Sequence, residues 1–325
     1  MILSEKGKNF FFLTALLGLI VIFISAFFIK FPPSSAGGSG DLPGFLVASN
    51  ILKKGYTEKL YDTNLQKEIE NKLWPELKGT LLVFAYPPYT AFLLKPFGYL
   101  TPKTAKNIFV LLHLLFWIAA LWLLKESFRI QFWKVLTISL LYPYLLLSII
   151  GAQNSAFTSF LLALAIWSIR RNASFLAGIS LGILLYKPQF GAVMFFYLLA
   201  IKDKKALAGY FLIAFIYYAI ALNLLGALWP LVWLKALSSF GTLNYYFNSY
   251  QMVSLNAVFW NYLYHLGFSK EVCDKTAFFL SVLSLLYLVG YTLFYITRRK
   301  ELNRQYLFIT YVYFLVFLSP QTLLY

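Results

Sequence analysis

Six of the twelve carboxylates in this chain of 325 residues lie in one stretch that ends just before Tyr86-Pro87-Pro88-Tyr89. The six are Asp41, Glu58, Asp62, Glu68, Glu70 and Glu76. Because a positioned carboxylate can take a proton from a reacting hydroxyl or give one to a leaving group, this stretch is where we expect acid or base chemistry. The other six acids lie beside lysines or arginines in short loops, outside the apolar segments.

Metal chemistry is not expected from the side chains that usually bind metals. Cys273 is the single cysteine, which excludes an internal disulfide and a multi-cysteine metal site. The two histidines, His113 and His265, are far apart and lack the spacing of paired ligands. The sequence therefore predicts no metal site, and it implies no cofactor.

The composition indicates a polytopic membrane protein. Apolar residues make up 60% of the chain, charged residues 12%, and the mean hydropathy is +0.70. A membrane-spanning helix needs about 20 mostly apolar residues. We count about nine candidate spans in an all-α bundle that forms a single integral-membrane domain over residues 1–325. They are Phe10–Lys30, Ala105–Leu124, Phe132–Ile150, Ser155–Ile169, Ala173–Tyr186, Gln189–Ile201, Ala206–Leu225, Thr276–Ile296 and Tyr306–Pro320.

Basic residues in the short loops predict the orientation. Cytoplasmic loops are rich in lysine and arginine. Successive loops alternate between the two sides of the membrane without contradiction if the N-terminus is cytoplasmic and the first span is an uncleaved anchor in the plasma (inner) membrane. Residues 31–104 and 226–274 then form two large outer segments. The basic cytoplasmic loops, together with lysines at the outer surface, account for most of the net charge of +16, so the charge does not indicate a nucleic-acid partner.

The first outer segment predicts interfacial helices. Leu42, Phe45 and Leu46 begin an apolar face on an amphipathic helix with Asp41 as its N-cap, and a second helix starts near Asp62. Glu68 and Glu70 are expected on the solvated face of that second helix. The prolines of residues 84–100 favour a re-entrant or interfacial segment rather than a span. For Asp41, local sequence leaves two readings open, a helix cap or a catalytic base.

Several short motifs, in this order along the chain, resemble glycosyltransferase family 87. They are an Asp after the first span, Leu60-Tyr61-Asp62, Phe84-Ala85-Tyr86-Pro87-Pro88, Pro96, Gly151-Ala152-Gln153-Asn154, Ala177-Gly178, Lys187-Pro188 and Ser319-Pro320. The resemblance implies an integral-membrane enzyme of the GT-C fold that uses a polyprenyl-phosphate sugar donor on the outer leaflet. It also implies that an Asp in the first outer loop acts as the base, and Asp41 is the matching position.

The chemistry of such a transfer suggests roles for other residues of the chain. Lys187, at the outer end of a span, would stabilise the phosphate leaving group, or would simply snorkel to the interface. Gln153 and Asn154 would bind sugar hydroxyls, or cap the next helix. The Tyr86 turn would shape the substrate entrance, or end a re-entrant helix. Trp229 and Trp233 would stack on substrate, although an interfacial aromatic belt is the preferred interpretation.

The sequence leaves other function classes open. A lipid or solute transporter or flippase would explain the spans, although no inverted repeat or polar midplane is evident. A non-catalytic assembly subunit is the other alternative.

The turn at Ser319-Pro320 is followed by Gln321 and Thr322, which would fill a substrate-binding role, and we expect the family pattern to continue beyond Tyr325. For the enzyme, the expected partners are a sugar donor, a lipid or glycan acceptor and membrane lipids.

Overall fold

The computed structural model describes residues 41–75, 82–140, 153–248, 255–297 and 304–317. This part of the chain contains thirteen α-helices and no strand, which confirms the all-α prediction. The helices are α1 (Leu42–Lys53), α2 (Thr63–Leu73), α3 (Pro88–Leu94), α4 (Pro102–Phe128), α5 (Phe132–Leu140), α6 (Ser155–Arg170), α7 (Ser174–Ile183), α8 (Pro188–Ile201), α9 (Lys204–Leu225), α10 (Trp229–Asn248), α11 (Leu255–His265), α12 (Lys270–Thr297) and α13 (Arg304–Phe317). Three short 3₁₀ helices cover Thr57–Lys59, Lys95–Tyr99 and Leu184–Tyr186.

Three of these helices, α4, α9 and α12, are long and apolar enough to cross a membrane. Each contains one of the spans predicted from the sequence. Helices α6, α7 and α8 have 16, 10 and 14 residues, which at about 1.5 Å per residue is shorter than the roughly 30 Å of a hydrocarbon core. The first predicted span, at Phe10–Lys30, lies outside the described residues, so the count of about nine stays a prediction.

Helix α1 is buried almost all round, so the prediction that it is amphipathic with one uncovered face is wrong, while its interfacial location stays a prediction. Ten of its twelve residues are buried. One side packs on the 3₁₀ helix Lys95–Tyr99, where a Cβ added to Gly98 would lie 2.8 Å from the carbonyl oxygen of Ser49. The Ser49 hydroxyl lies 2.8 Å from the carbonyl oxygen of Leu94. The residues after Tyr86 fold back over α1 and cover the face that the sequence pattern left for solvent.

Helix α2 begins as predicted, because the Asp62 carboxylate accepts hydrogen bonds from the backbone N–H groups of Asn64 and Leu65. Glu68 is exposed and pairs with Lys72 at 2.6 Å, as expected of a solvated face. Glu70 is not on that face: its side chain is fully buried and accepts a hydrogen bond of 2.9 Å from the backbone N–H of Leu82. The solvated-face prediction for Glu70 is therefore wrong.

The extended residues 82–85 are held against α2 by a buried amide. Gln66 accepts a 3.0 Å hydrogen bond from the backbone N–H of Phe84 through Oε1, and its Nε2 donates to the carbonyl of Leu60 at 2.8 Å. Together with Glu70, this amide supplies side-chain partners for a backbone that has no neighbouring strand. The segment therefore leads to Tyr86 along a fixed path.

Glycines allow α7 and α9 to pack with their backbones in contact. A Cβ built on Gly178 would lie 1.8 Å from the carbonyl oxygen of Ala206, and one on Gly209 would lie 2.3 Å from that of Phe175. Close approach through small residues is a common way to pack helices in membranes. It fixes α7, and with it the turn that follows, against a membrane-length helix.

The basic loops that the sequence places on the cytoplasmic side meet in the structure; they include Lys125, Arg170 and Arg171, Lys202 to Lys205, and Arg304. Glu126, near the end of α4, pairs with Lys125 at 3.2 Å and with Arg171 at 3.8 Å. Asp203, before α9, accepts hydrogen bonds from Ser174 at 2.7 Å and from Arg304 at 2.8 Å. Helices α6 and α8 end in this region and begin at the opposite end of the bundle.

Candidate functional site

The candidate site lies where three helices begin. Asp41, Asn154 and Lys187 occupy the N-cap positions of α1, α6 and α8, and Tyr86 comes two residues before α3. None of the three N-cap side chains makes a capping hydrogen bond. Their polar groups are therefore turned to other partners, near the partly positive ends of three helices.

Asp41 does not cap its helix, so that reading from the sequence is wrong for its side chain. Its φ and ψ of −78° and −19° are helical, whereas a capping residue usually has β-region angles. A cap bonds the N–H of the second or third helical residue. The second residue of α1 is Pro43, which has no N–H, so Gly44 offers the one remaining donor. The carboxylate instead accepts a hydrogen bond of 3.0 Å from the Tyr86 hydroxyl.

Tyr86 connects Asp41 to Asn154. Its hydroxyl donates to Asp41 Oδ2 and accepts from Asn154 Nδ2, both at 3.0 Å. Its ring packs edge-on against Phe45, with the ring centroids 5.0 Å apart. Burial, the charge of Asp41 and the nearby Tyr186 raise the pKa of the Tyr86 phenol well above its usual value. The phenol therefore acts as a hydrogen-bond donor and acceptor, not as an acid.

Asn154 and Gln153 lie in the turn before α6, where the sequence predicted them to bind sugar or cap the helix. Both are buried, with 4% and 6% of their surfaces exposed. The Asn154 side chain bonds Tyr86 and makes no cap, so the capping alternative is wrong for it. Within the described residues, Asn154 Oδ1 is buried and has no hydrogen-bond partner. It remains an acceptor at the edge of the site.

Lys187 lies in the turn between the 3₁₀ helix Leu184–Tyr186 and α8, and its ammonium group faces inward. The Nζ atom is 6.0 Å from the centroid of the Tyr86 ring and 5.5 Å from that of Phe190. Burial lowers the pKa of the Lys187 ammonium, while the charge of Asp41 opposes this shift. An ammonium group that lies near the Tyr86 and Phe190 rings and feels the charge of Asp41 does not fit a lysine that snorkels away from the protein.

Two tyrosines that the sequence analysis did not select support the site. The Tyr61 hydroxyl donates to the carbonyl of Tyr86 at 2.8 Å. The Tyr186 hydroxyl donates to the carbonyl of Asn154 at 3.3 Å and also contacts the Thr158 hydroxyl. Tyr61 belongs to the Leu60-Tyr61-Asp62 motif, although no role was assigned to it, and Tyr186 directly precedes Lys187. These positions were the one signal available in the sequence.

Two tryptophans of the second outer segment, Trp229 and Trp233, pack against other parts of the protein. The Trp233 indole donates to the carbonyl of Ala85 at 3.0 Å, and the Trp229 ring packs edge-on against Tyr89 with 6.0 Å between centroids. The preferred interpretation as an aromatic belt is therefore wrong for this pair. Their contacts instead fix the chain just before Tyr86.

Gln321 lies outside the described residues, as do Gly151, Ala152 and the Ser319-Pro320 turn. The structure therefore brings together Asp41, Tyr86, Asn154 and Lys187, with Gln153 beside them in the same turn. Across the described ranges, no group of three or more histidine, cysteine or acidic residues is arranged to hold a metal ion.

Comparison with known proteins gives one match. The model of glycosyltransferase family 87 matches residues 84–320, a range that includes Tyr86, Gln153, Asn154 and Lys187 and leaves Asp41 outside. Searches against curated proteins and against solved structures found no significant match. The family match covers more than half of the chain and agrees with the resemblance seen in its motifs. The chain therefore belongs to glycosyltransferase family 87, which identifies it as a glycosyltransferase.

Proposed function

We propose that this glycosyltransferase moves a hexose, and specifically mannose, from a polyprenyl-phosphate donor to a lipid or glycan acceptor at the outer face of the plasma (inner) membrane. Asp41 is the general base in this proposal. One observation carries it: the Asp41 carboxylate, held at 3.0 Å by Tyr86, shares a site with the ammonium group of Lys187. A proton acceptor beside a cation suits the attack of a hydroxyl on a sugar phosphate.

The charged groups of Asp41 and Lys187 assist different parts of the reaction. As the acceptor oxygen attacks the anomeric carbon, its proton passes to the Asp41 carboxylate. The bond between that carbon and the phosphate oxygen breaks, and the polyprenyl phosphate leaves with the electron pair. Because one displacement takes place at one carbon, the anomeric configuration inverts.

Lys187 opposes the negative charge that grows on the departing phosphate. A fixed cation in a partly buried site stabilises such a transition state more than it would in water. The beginnings of α6 and α8 lie at the same site, and their helix dipoles add partial positive charge there. Donor phosphate binding is therefore assigned to Lys187.

Sugar hydroxyls are assigned to the polar groups around the phosphate position. Asn154 Oδ1 is buried and has no hydrogen-bond partner within the described residues, so it can accept from a sugar hydroxyl. Gln153 precedes it in the same turn, and the face of the Tyr86 ring offers an apolar wall. Gln321, which lies outside the described residues, is kept as a further substrate-binding candidate from the sequence.

The arrangement of charge supports an outer location for the site. Helices α6 and α8 begin at the site and end beside Arg170 and Lys202, in the region where the basic loops meet. Cytoplasmic loops carry the excess of lysine and arginine in membrane proteins. The opposite ends of these two helices are therefore assigned to the outer face.

The test is sugar transfer by the purified protein in liposomes, with polyprenyl-phosphate mannose as donor and extracted membrane lipids as acceptors. We expect an inverted glycosidic product from the wild type. Asp41→Asn replaces the carboxylate with an amide, which cannot accept the proton, so transfer should slow by about a hundredfold or more.

Asp62→Asn is the matched control, because Asp62 caps α2 and asparagine caps almost equally well. It should retain the wild-type rate. Asp41→Asn at the wild-type rate would contradict the assignment of the base. Activity with polyprenyl-phosphate glucose but not with the mannose donor would contradict the choice of sugar and leave the base standing.

A further inference from the structure

We propose that Tyr86 and Asn154 form a hydrogen-bond relay that fixes which oxygen of Asp41 receives the acceptor proton. This inference rests on the proposed role of Asp41 as base. It gives Tyr86 and Asn154 a positioning role, whereas the sequence motifs assigned both residues to substrate binding.

The direction of the relay follows from counting protons. An ionised carboxylate accepts hydrogen bonds but has none to give, so the Tyr86 hydroxyl must donate its one proton to Asp41 Oδ2. The hydroxyl oxygen can then only accept from Asn154, which turns the amide so that Nδ2 faces it at 3.0 Å. Each hydrogen bond therefore fixes whether the next group in the relay donates or accepts.

The two residues that orient Asp41, Asn154 and Tyr86, are themselves held in place. Asn154 is 4% exposed and begins α6, and its carbonyl accepts a hydrogen bond from the Tyr186 hydroxyl. Tyr86 is fixed through its backbone, because the Tyr61 hydroxyl donates to its carbonyl at 2.8 Å. Packing of the Tyr86 ring against Phe45 fixes the side chain. The hydroxyl therefore has a defined position relative to Asp41.

The cap position of α1 competes with the relay for the Asp41 carboxylate. Asp41 stands at the N-cap of α1, where the N–H of Gly44 would donate a hydrogen bond to the carboxylate, as at an ordinary cap. The hydrogen bond from Tyr86 holds the carboxylate away from that position and occupies Oδ2. Oδ1 is then the oxygen directed to the acceptor hydroxyl. Loss of the relay would let the carboxylate turn back to its helix and lose the geometry of a base.

The test is a double-mutant cycle measured on kcat and KM for sugar transfer. Tyr86→Phe keeps the ring and removes the hydroxyl, so kcat should fall by about tenfold or more, the usual effect of a lost hydrogen bond to a charged group. KM for donor and acceptor should change less than twofold. Asn154→Asp keeps Oδ1 but cannot donate, and it draws the Tyr86 proton to itself. It should lower kcat to a similar extent.

Two double variants separate a relay from independent contacts. In the Asp41→Asn background, Tyr86→Phe should cause no further loss, because the base on which the relay acts is absent. In the Tyr86→Phe background, Asn154→Asp should cause little further loss. Tyr197→Phe is the matched control: that buried hydroxyl donates to the carbonyl of Arg304, at the far end of α8, and kcat should not change.

Several outcomes would overturn the relay. Tyr86→Phe with a raised donor KM and an unchanged kcat would make Tyr86 a substrate contact. Additive losses with Asp41→Asn would show that Tyr86 does not act through Asp41. If Asp41→Asn is inactive while Tyr86→Phe keeps the wild-type rate, the relay fails alone and the base stands. If Asp41→Asn is fully active, the base assignment fails and the relay fails with it.

Discussion

The Asp41 carboxylate and the Tyr86 hydroxyl lie 3.0 Å apart although 45 residues separate them in the chain. The intervening chain forms α1 and α2 and returns as an extended segment held by Gln66. Two helices and a buried amide thus determine one hydrogen bond at the start of α1. The carboxylate is directed into the protein, toward the turns that hold Asn154 and Lys187.

Replacing Lys187 with methionine tests the phosphate assignment. Methionine keeps an apolar side chain of similar length and removes the charge. If Lys187 binds the donor phosphate and stabilises the leaving group, donor affinity and kcat should both fall, by about tenfold or more together. The measurement is donor titration in the liposome transfer assay.

Lys103→Met is the control for that variant, because Lys103 is an exposed lysine near the start of α4. It should leave both constants unchanged. Wild-type kinetics for Lys187→Met would remove Lys187 from the site and return it to the snorkelling interpretation.

The contact between α7 and α9 gives a stability prediction. In Gly178→Ala the new methyl group would meet the backbone of Ala206, and in Gly209→Ala it would meet that of Phe175. Because the atoms in the way are backbone, the helices must move apart, at a cost of about 1–3 kcal/mol. Thermal unfolding in detergent should show lower melting temperatures for both variants.

Gly290→Ala supplies the comparison. Gly290 lies on an exposed face of α12, and nothing is within 4 Å of a Cβ built there. Alanine is the better helix former, so this variant should melt at or above the wild-type temperature. Equal melting temperatures for Gly178→Ala and Gly290→Ala would contradict the tight contact.

The sequence predicted the long helices better than it predicted what covers them. Spans in α4, α9 and α12 were predictable because about 20 apolar residues in a row have few other solutions. The burial of α1 and of Glu70 was not, because it depends on residues 82–100 folding back onto them. A helical period shows which residues share a face, and it does not show whether another segment covers the opposite face.

The candidate site was predictable in its members and not in its contacts. Asp41, Asn154 and Lys187 attracted attention because each is a polar residue just before a helix. That position also predicts capping, and local sequence could not exclude it, although Pro43 removes one of the N–H groups that a cap would use. The contacts of all three run to other parts of the fold, through Tyr86.

Asp203 gives a prediction for stability against pH. Burial alone would raise its pKa, but hydrogen bonds from Ser174, the backbone of Ala206 and Arg304 outweigh this and lower it. A pKa lowered by folding means that the carboxylate stabilises the protein above the unfolded value of 3.8, and that this contribution is lost as the pH falls through the folded value. Asp203→Asn should therefore melt below the wild type at pH 7 and at pH 5.

The difference in melting temperature between Asp203→Asn and the wild type should begin to narrow below the unfolded pKa of 3.8. It should close as the pH falls through the lower folded pKa, where the wild-type carboxylate also becomes neutral. Asparagine retains the cap of α9, so the change reports the charge interaction with Arg304. Asp62→Asn, a cap whose carboxylate forms no ion pair within the described residues, should show little difference at any of these pH values. A constant difference down to pH 3 would contradict the assignment to charge.

The orientation of the protein is testable with single cysteines. Cys273 is buried, so it should react poorly with a membrane-impermeant maleimide, and Cys273→Ser gives a clean background. Lys54→Cys lies just after α1, in the predicted first outer segment, and Lys205→Cys lies at the start of α9, on the predicted cytoplasmic side; both positions are exposed. If the site faces outward, intact cells should be labelled at residue 54 and not at residue 205, which should react only after permeabilisation.

Labelling of residue 205 alone in intact cells would reverse the orientation and put Asp41 on the wrong side for a lipid-linked sugar in the outer leaflet. Labelling of both would contradict the separation of the candidate site from the basic loops.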